Sequence, residues 1–190
     1  MKPNRVFFKW ACLWAACLFM AGPLAAFDLV PQVDLSQTAF NNNATQGVAH
    51  IQQDGAGNLA QIDQTVGTLD LNHNAHFAEI FQSGSGNRAY VLQGGNLNVA
   101  SLTQTGNENT VRTDQQGIGN SITASQAGNS KLTVNQYGNL NNFVVTQPGN
   151  NESTLTANGN NNTIELHQSV GGTTYNITIT SDSMSYKVTQ

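Results

Sequence analysis

A glutamine returns every ten or eleven residues over most of this chain, at Gln53, Gln64, then Gln82, Gln93, Gln104, Gln115, Gln126, Gln136 and Gln147, with Asn158 and Gln168 continuing the series. So short a fixed period excludes an ordinary globular fold. Each unit is too small to bury its own apolar face and must stack on its neighbours, so the repeat predicts a solenoid.

Aligning the units on that amide exposes two apolar rows. Two residues earlier stand Ile51, Ile62, Ile80, Val91, Leu102, Thr113, Ala124, Val134, Val145, Thr156 and Leu166. Four residues earlier stand Ala49, Ala60, Ala78, Ala89, Ala100, Val111, Ile122, Leu132, Phe143, Thr154 and Ile164. Six residues earlier an asparagine recurs, at Asn58, Asn87, Asn98, Asn109, Asn120, Asn141 and Asn162. All these positions share one parity, and alternate residues of a strand face one side. The other parity carries Gln61, Asp63, Glu79, Arg112, Asp114, Thr123, Ser125, Asn135 and Glu165. Each unit is therefore a half-buried strand with an inward row of Asn, apolar, apolar and Gln.

Turns follow each strand. Gly84, Gly95, Gly106, Gly117, Gly128, Gly138 and Gly149 come two residues after their glutamines, as Gly55 does after Gln53, usually with Asn close behind. Such residues accept the positive φ of tight reversals. Strand, turn, strand, turn gives coils of about 22 residues, two strands each, stacked at the ~4.8 Å spacing of paired strands.

Burying a carboxamide without partners costs on the order of 1–3 kcal/mol. Stacked at the strand spacing, identical amides satisfy one another in a ladder, and only the ends of the stack remain open to another coil. If consecutive strands alternate between two sheets, Gln93, Gln115, Gln136, Asn158 and Ile179 form one row and Gln104, Gln126, Gln147, Gln168 and Gln190 the other, with the loss of the amide confined to one sheet. The interval between Gln64 and Gln82 is eighteen residues, which places an inserted loop or bulged corner at about 65–75.

The first 26 residues are of another kind. Lys2, Arg5 and Lys9 precede an apolar run from Trp10 to Met20, then Gly22, Pro23, Ala25 and Ala26, the pattern of a cleaved secretory signal. No stretch approaches the ~20 apolar residues of a transmembrane segment. Both cysteines, Cys12 and Cys17, fall inside the signal, so no disulfide framework is expected. A lipoprotein acylated at Cys17 is the rival reading, weakened by Trp14 and by the apolar residues that continue past the cysteine. From residue 27 onward eleven acidic side chains face four basic ones (Arg88, Arg112, Lys131, Lys187), a net charge of about −7, with no basic patch for nucleic acid.

No enzymatic constellation is visible. His50, His73, His76 and His167 form no metal-ligand spacing and read as solvated loop residues. Asp54, Asp63, Asp70, Glu79, Asp114 and Glu165 are dispersed, without an acid and base pair. Gly55-Ala56-Gly57 and Gly84-Ser85-Gly86 open strands rather than helices, so they lack the anion site of a phosphate loop. No cofactor or metal is expected. An ice-binding solenoid would need a flat outward face of threonines, whereas the outward residues mix Glu79, Tyr90, Arg112, Asp114, Val144 and Glu165.

The segment Asn87 to Gln104, NRAYVLQGGNLNVASLTQ, has the spacing Asn, five residues, Gln, one residue, Gly, two residues, Asn, one residue, Ala, three residues, Gln. It resembles the curlin repeat of the bacterial curli amyloid subunits, and the likeness runs over about 47–190. The start of the expected mature chain at Phe27-Asp28-Leu29, a diverged repeat near the end and the closing Met184-Ser185-Tyr186-Lys187-Val188-Thr189-Gln190 look more like the minor, nucleating subunit than the major one. The resemblance implies an all-β, amyloid-forming cross-β solenoid in the extracellular fimbrium of a Gram-negative bacterium, with roles in adhesion and biofilm. It further implies that the protein templates a major curlin at the cell surface, and is exported through a dedicated outer-membrane channel with accessory factors. The segment 27–46, expected to be disordered, would serve as the export tag, followed by a repeat domain over 47–190. A major structural subunit of the fibre is the alternative.

Overall fold

A computed structural model describes residues 32–38, 47–66, 75–169 and 171–190. The expected signal, the rest of the 27–46 segment and residues 67–74 of the expected insertion, with Asp70 and His73, lie outside the described residues.

Fourteen strands are described, and no helix: β1 (Gln32–Thr38), β2 (Val48–Asp54), β3 (Leu59–Val66), β4 (Phe77–Ser83), β5 (Arg88–Asn96), β6 (Val99–Thr105), β7 (Thr110–Ile118), β8 (Ser121–Ala127), β9 (Lys131–Tyr137), β10 (Asn142–Pro148), β11 (Glu152–Asn158), β12 (Thr163–His167), β13 (Thr174–Ile179) and β14 (Ser185–Thr189). Consecutive strands alternate between two seven-stranded parallel sheets, one holding the odd-numbered strands in order and the other the even-numbered ones. The chain is a β-solenoid. One coil advances 22 residues where Ala78 pairs with Ala100, and 21 where Ile122 pairs with Phe143.

The inward rows meet between the sheets. In the odd sheet Ala60, Ala89, Val111 and Leu132 stack in register, and beside them Ile62, Val91, Thr113 and Val134. In the even sheet the columns are Ala78, Ala100, Ile122, Phe143 and Ile164, and Ile80, Leu102, Ala124, Val145 and Leu166. All of these side chains are buried. Thr113 is tolerated in the apolar column because its hydroxyl donates to the Tyr90 carbonyl at 3.4 Å. The solvent faces carry pairs that bridge neighbouring coils, His50 with Glu79, Lys131 with Glu152 and Lys187 with Glu165. As exposed pairs each contributes at most about 1 kcal/mol.

Three expectations are corrected. Residues 32–38, in the segment expected to be disordered, form β1, whose backbone pairs with β3 so that Val33, Leu35 and Gln37 stand opposite Ala60, Ile62 and Gln64. Gln37 lies 16 residues before Gln53, off the eleven-residue grid, so the repeat did not reveal it. The inserted segment begins later than 65, because β3 continues through Val66. In β11 the inward residues are Ser153, Leu155 and Ala157, while Thr154 and Thr156 face outward and Asn158 is exposed. The reason is a corner one residue shorter, Pro148-Gly149-Asn150-Asn151, which brings Ala157 rather than Asn158 opposite Gln136. The corner at Ala127-Gly128-Asn129-Ser130 is short in the same way, and accounts for the ten-residue interval from Gln126 to Gln136.

The corners stack as closely as the strands. Gly86 N–H donates to the Ala56 carbonyl and Gly119 N–H to that of Asn96, both at 3.0 Å, so backbone pairing continues round the bend. Gly117 has φ 126°, and a Cβ built there would lie 1.9 Å from the Gly138 carbonyl oxygen of the next coil. Both the dihedral and the close approach exclude a side chain. Gly117→Ala is expected to destabilise the solenoid by about 1–3 kcal/mol or more through strain and displacement of the next corner, read as a lower urea midpoint; an unchanged midpoint would refute the close stacking.

Candidate functional site: the amide ladders

Two files of glutamines run through the core. In the even sheet Gln53 Nε2 donates to Gln82 Oε1 (2.6 Å), Gln82 to Gln104 (2.7 Å), Gln104 to Gln126 (3.0 Å) and Gln126 to Gln147 (3.0 Å). In the odd sheet Gln64 donates to Gln93 (2.9 Å), Gln93 to Gln115 (2.8 Å) and Gln115 to Gln136 (3.0 Å). In six of these amides an Nε2 N–H goes to a main-chain carbonyl at the start of a strand in the opposite sheet. Gln82 reaches Leu59, Gln93 reaches Phe77, Gln104 reaches Arg88, Gln115 reaches Val99, Gln126 reaches Thr110 and Gln136 reaches Ser121, all at 2.9–3.2 Å. One carboxamide thus bonds its coil to the next and one sheet to the other. Leucine or methionine could fill the same volume but supply neither bond.

Asparagines line the two corners. Asn87 donates its backbone N–H and Nδ2 to Asn58 Oδ1 (3.0 and 3.1 Å), Asn109 does the same to Asn87, Asn120 to Asn98 and Asn141 to Asn120. Asn162 N–H continues to Asn141 Oδ1, and Met184 N–H to Asn162 Oδ1. Asn Nδ2 groups also close their own turns onto the carbonyl four residues back, as Asn98 does onto Gly94 (2.9 Å). The two kinds of ladder are opposed in direction. From side chain to side chain, glutamine amides donate toward higher-numbered coils and asparagine amides toward lower-numbered ones, while Asn Nδ2 groups also donate to corner carbonyls of the next higher-numbered coil, as Asn87 does to Gly106 (2.9 Å) and Asn120 to Gly138 (2.8 Å).

The repeat concealed other members of the asparagine row. Ser130 N–H donates to Asn109 Oδ1, and Thr173 Oγ1 donates to Asn151 Oδ1 (2.9 Å), so Ser130, Asn151 and Thr173 hold asparagine positions. His76 holds another. It is buried, not a solvated loop residue: Nδ1 accepts the Asn98 N–H at 3.2 Å and Nε2 faces the Thr65 carbonyl at 3.3 Å. Its position six residues before Gln82 was the available signal. Burial lowers the His76 pKa below its ordinary 6.5, against the raising effect of its backbone carbonyl neighbours. The neutral ring is the form the ladder accepts. His50 and His167 are exposed on strand surfaces.

The ladders stop before the last coils, in both sheets. In the odd sheet Ala157 takes the glutamine position and Ile179 follows it. In the even sheet Gln168 is present and buried, but its Oε1 accepts the Ser153 hydroxyl (3.2 Å) and its Nε2 donates to Thr173 Oγ1 (2.7 Å). Gln147 Nε2 is left buried without a partner, as is Asn162 Nδ2. Gln190, expected in the row, is exposed and accepts from the Tyr175 hydroxyl. The loss confined to one sheet is therefore corrected: a serine in the apolar column of the odd sheet captures the even-sheet amide. At the other end, β2 is the terminal strand of the even sheet, and Gln53 Oε1 has no partner among the described residues.

All seven turn glycines named from the sequence have positive φ, between 62° at Gly149 and 126° at Gly117 and Gly138. Among the described residues no three His, Cys, Asp or Glu side chains gather to hold a metal ion, and no helix is long and apolar enough to cross a membrane.

Stacked coils of parallel strands joined by amide ladders define a class, the β-solenoids. The particular likeness is narrower. The family model for the curlin associated repeat matches residues 77–106, from the start of β4 into the corner after β6, thirty of the 190 residues. This match supports the curlin family, and with the solenoid it suggests a structural protein. No curated protein and no solved structure matches the chain.

Two outcomes follow from these contacts. Because the folded-state pKa of His76 is depressed, its contribution to stability is present above pH 6.5 and declines as pH falls below that value toward the folded pKa. His76→Asn, which restores the residue used elsewhere in the row, should flatten that decline in urea midpoints measured between pH 7.5 and 5; parallel profiles for the two proteins would remove His76 as its source. Ser153→Val should release Gln168 Oε1 to the orphaned Gln147 amide and raise stability by about 1–3 kcal/mol, whereas a loss of stability would mean that the serine contact holds the last coils in place.

Proposed function

We propose that this protein is a secreted component of a curli-type fibre, and within it the minor subunit that nucleates polymerisation of a major curlin at the cell surface. One observation carries the reading: the solenoid has two unlike ends. At the β2 end a strand edge of the even sheet carries an amide whose Oε1 is unpaired among the described residues, a position that a further coil's glutamine Nε2 would satisfy. At the other end the coils built from β11 to β14 carry no continuous glutamine ladder. A subunit extended indefinitely from both ends gains from keeping its ladder throughout. A subunit that starts a fibre from one end and is held at the other does not.

The closing coil has its own chemistry. Lys187 Nζ sits 2.8 Å from Glu165 Oε1, and Asp182 Oδ1 accepts the Asn160 N–H at 2.6 Å, so its charges are used against the preceding coil. This arrangement suits attachment of the last coils to the body of the solenoid, with the regular coils from Asn87 to Gln147 offering the template. Export through an outer-membrane channel, with 27–46 as its tag, and a role in biofilm and adhesion belong to the same reading. The regular spacing of β4 to β10 favours the second reading, a major structural subunit.

Truncation after Gln168 removes β13 and β14 and separates the two. The shortened protein is expected to keep seeding a purified major curlin, followed by an amyloid-binding dye, while immunoblots find it released from cells. Normal retention with lost seeding would reverse the roles of the two ends, and unchanged behaviour in both assays would favour the major subunit.

A further inference from the structure

Two leucines sit where a leucine is doubly disfavoured. Leu97 has φ 56° and Leu140 φ 57°, the left-handed conformation that glycine and asparagine adopt readily and a leucine does not. Their side chains are also 44% and 62% exposed. At the same corner of other coils the left-handed residue is Gly119, Asn161 or Ser183, of which glycine and asparagine are suited to it and none is a bulky apolar residue. Ile118, 48% exposed, stands beside them. A Cβ added at Gly119 would meet Leu140 Cδ2 at 3.0 Å, so Leu140 leans over Gly119, and backbone bonds from Gly119 to Asn96 and from Leu140 to Ile118 stack the exposed Leu97, Ile118 and Leu140 on one corner of three successive coils as an apolar strip. Neither local conformation nor burial accounts for leucine here, and strain held without such a reason points to function.

We propose that this strip is a lateral association ridge, by which the stacked solenoid lies side by side against the same corner of a second stack of this chain. The proposal rests on the reading of the protein as a fibre component. The occupant follows from charge. From residue 27 onward the chain is acidic, eleven carboxylates to four cations, so two copies repel over most of their surfaces. Residues 94–97, 116–119 and 137–140 of this corner carry no charge, its one carboxylate among the described residues, Asp182, standing two coils beyond Leu140 and holding the Asn160 N–H, whereas the opposite corner carries Asp54 and Glu108. The nearest carboxylate, Asp114, is held by Gln116 Nε2 (2.9 Å) and the Tyr137 hydroxyl (3.2 Å). An anionic lipid surface is disfavoured by the same acidity. Three exposed side chains bury far less than the ~1,000 Å² of a stable dimer interface. One pair of chains therefore associates weakly, and the contact becomes effective only when many copies present it in line.

The test is the double variant Leu97→Asn with Leu140→Asn, which relieves the left-handed strain while removing the strip. Filaments of the full chain imaged by electron microscopy should change from paired or bundled to predominantly single, at least a threefold fall in the paired fraction, with thermal resistance equal or higher. Val144→Thr, an exposed apolar residue of the even sheet, should leave bundling unchanged. Equal bundling in parent and double variant overturns the ridge, as does a loss of thermal resistance in the double variant, which would make the leucines structural. If the parent chain forms no filaments, the fibre reading fails instead. The ridge is then judged by light scattering of the soluble chain, whose second virial coefficient must become more repulsive in the double variant, and an equal coefficient overturns it.

Discussion

A primary carboxamide has two N–H donors and one carbonyl, and in a core this narrow only a stack of identical coils can satisfy them all. Gln115 shows the full arrangement: it accepts from Gln93, donates to Gln136 and donates to the Val99 carbonyl of the opposite sheet. The apolar columns could tolerate a shift along the axis or a change of volume. The amides cannot, because a shift of one residue would turn the whole row outward and leave the carbonyls facing them without donors. Register, coil length and the approach of the two sheets all follow from this bonding.

The opposed directions of the glutamine and asparagine files have an electrostatic consequence. Aligned amide dipoles in a single file would sum along the axis as peptide dipoles do in a helix. With the side-chain bonds of the two files running oppositely, their contributions along the axis partly offset one another.

Inward parity and the alternation of sheets were legible because identity and period agree over the regular coils. What escaped was set by departures of one residue or one atom. The short corner at Pro148 to Asn151 moved the ladder from Asn158 to Ala157, and only Asn151 in the corner row signals it. His76 passed for a loop residue because a ring nitrogen can replace an amide carbonyl as acceptor, an equivalence of geometry rather than of residue type. The diversion of Gln168 was invisible because its residue type is the expected one, and only the position of the Ser153 hydroxyl reveals that its carbonyl is engaged elsewhere.

The orphaned Gln147 amide has a further meaning for cooperativity. In a linear array each coil is stabilised by its neighbours alone, and opening spreads from the ends until it meets an interface strong enough to stop it. Between Gln147 and Gln168 the side-chain bond that joins the earlier coils of the even sheet is missing. Fraying that begins at β14 therefore meets its first intact glutamine rung, Gln126 to Gln147, only beyond this seam, so the chain divides energetically into a rigid body and a looser tail at the short corner after Gln147.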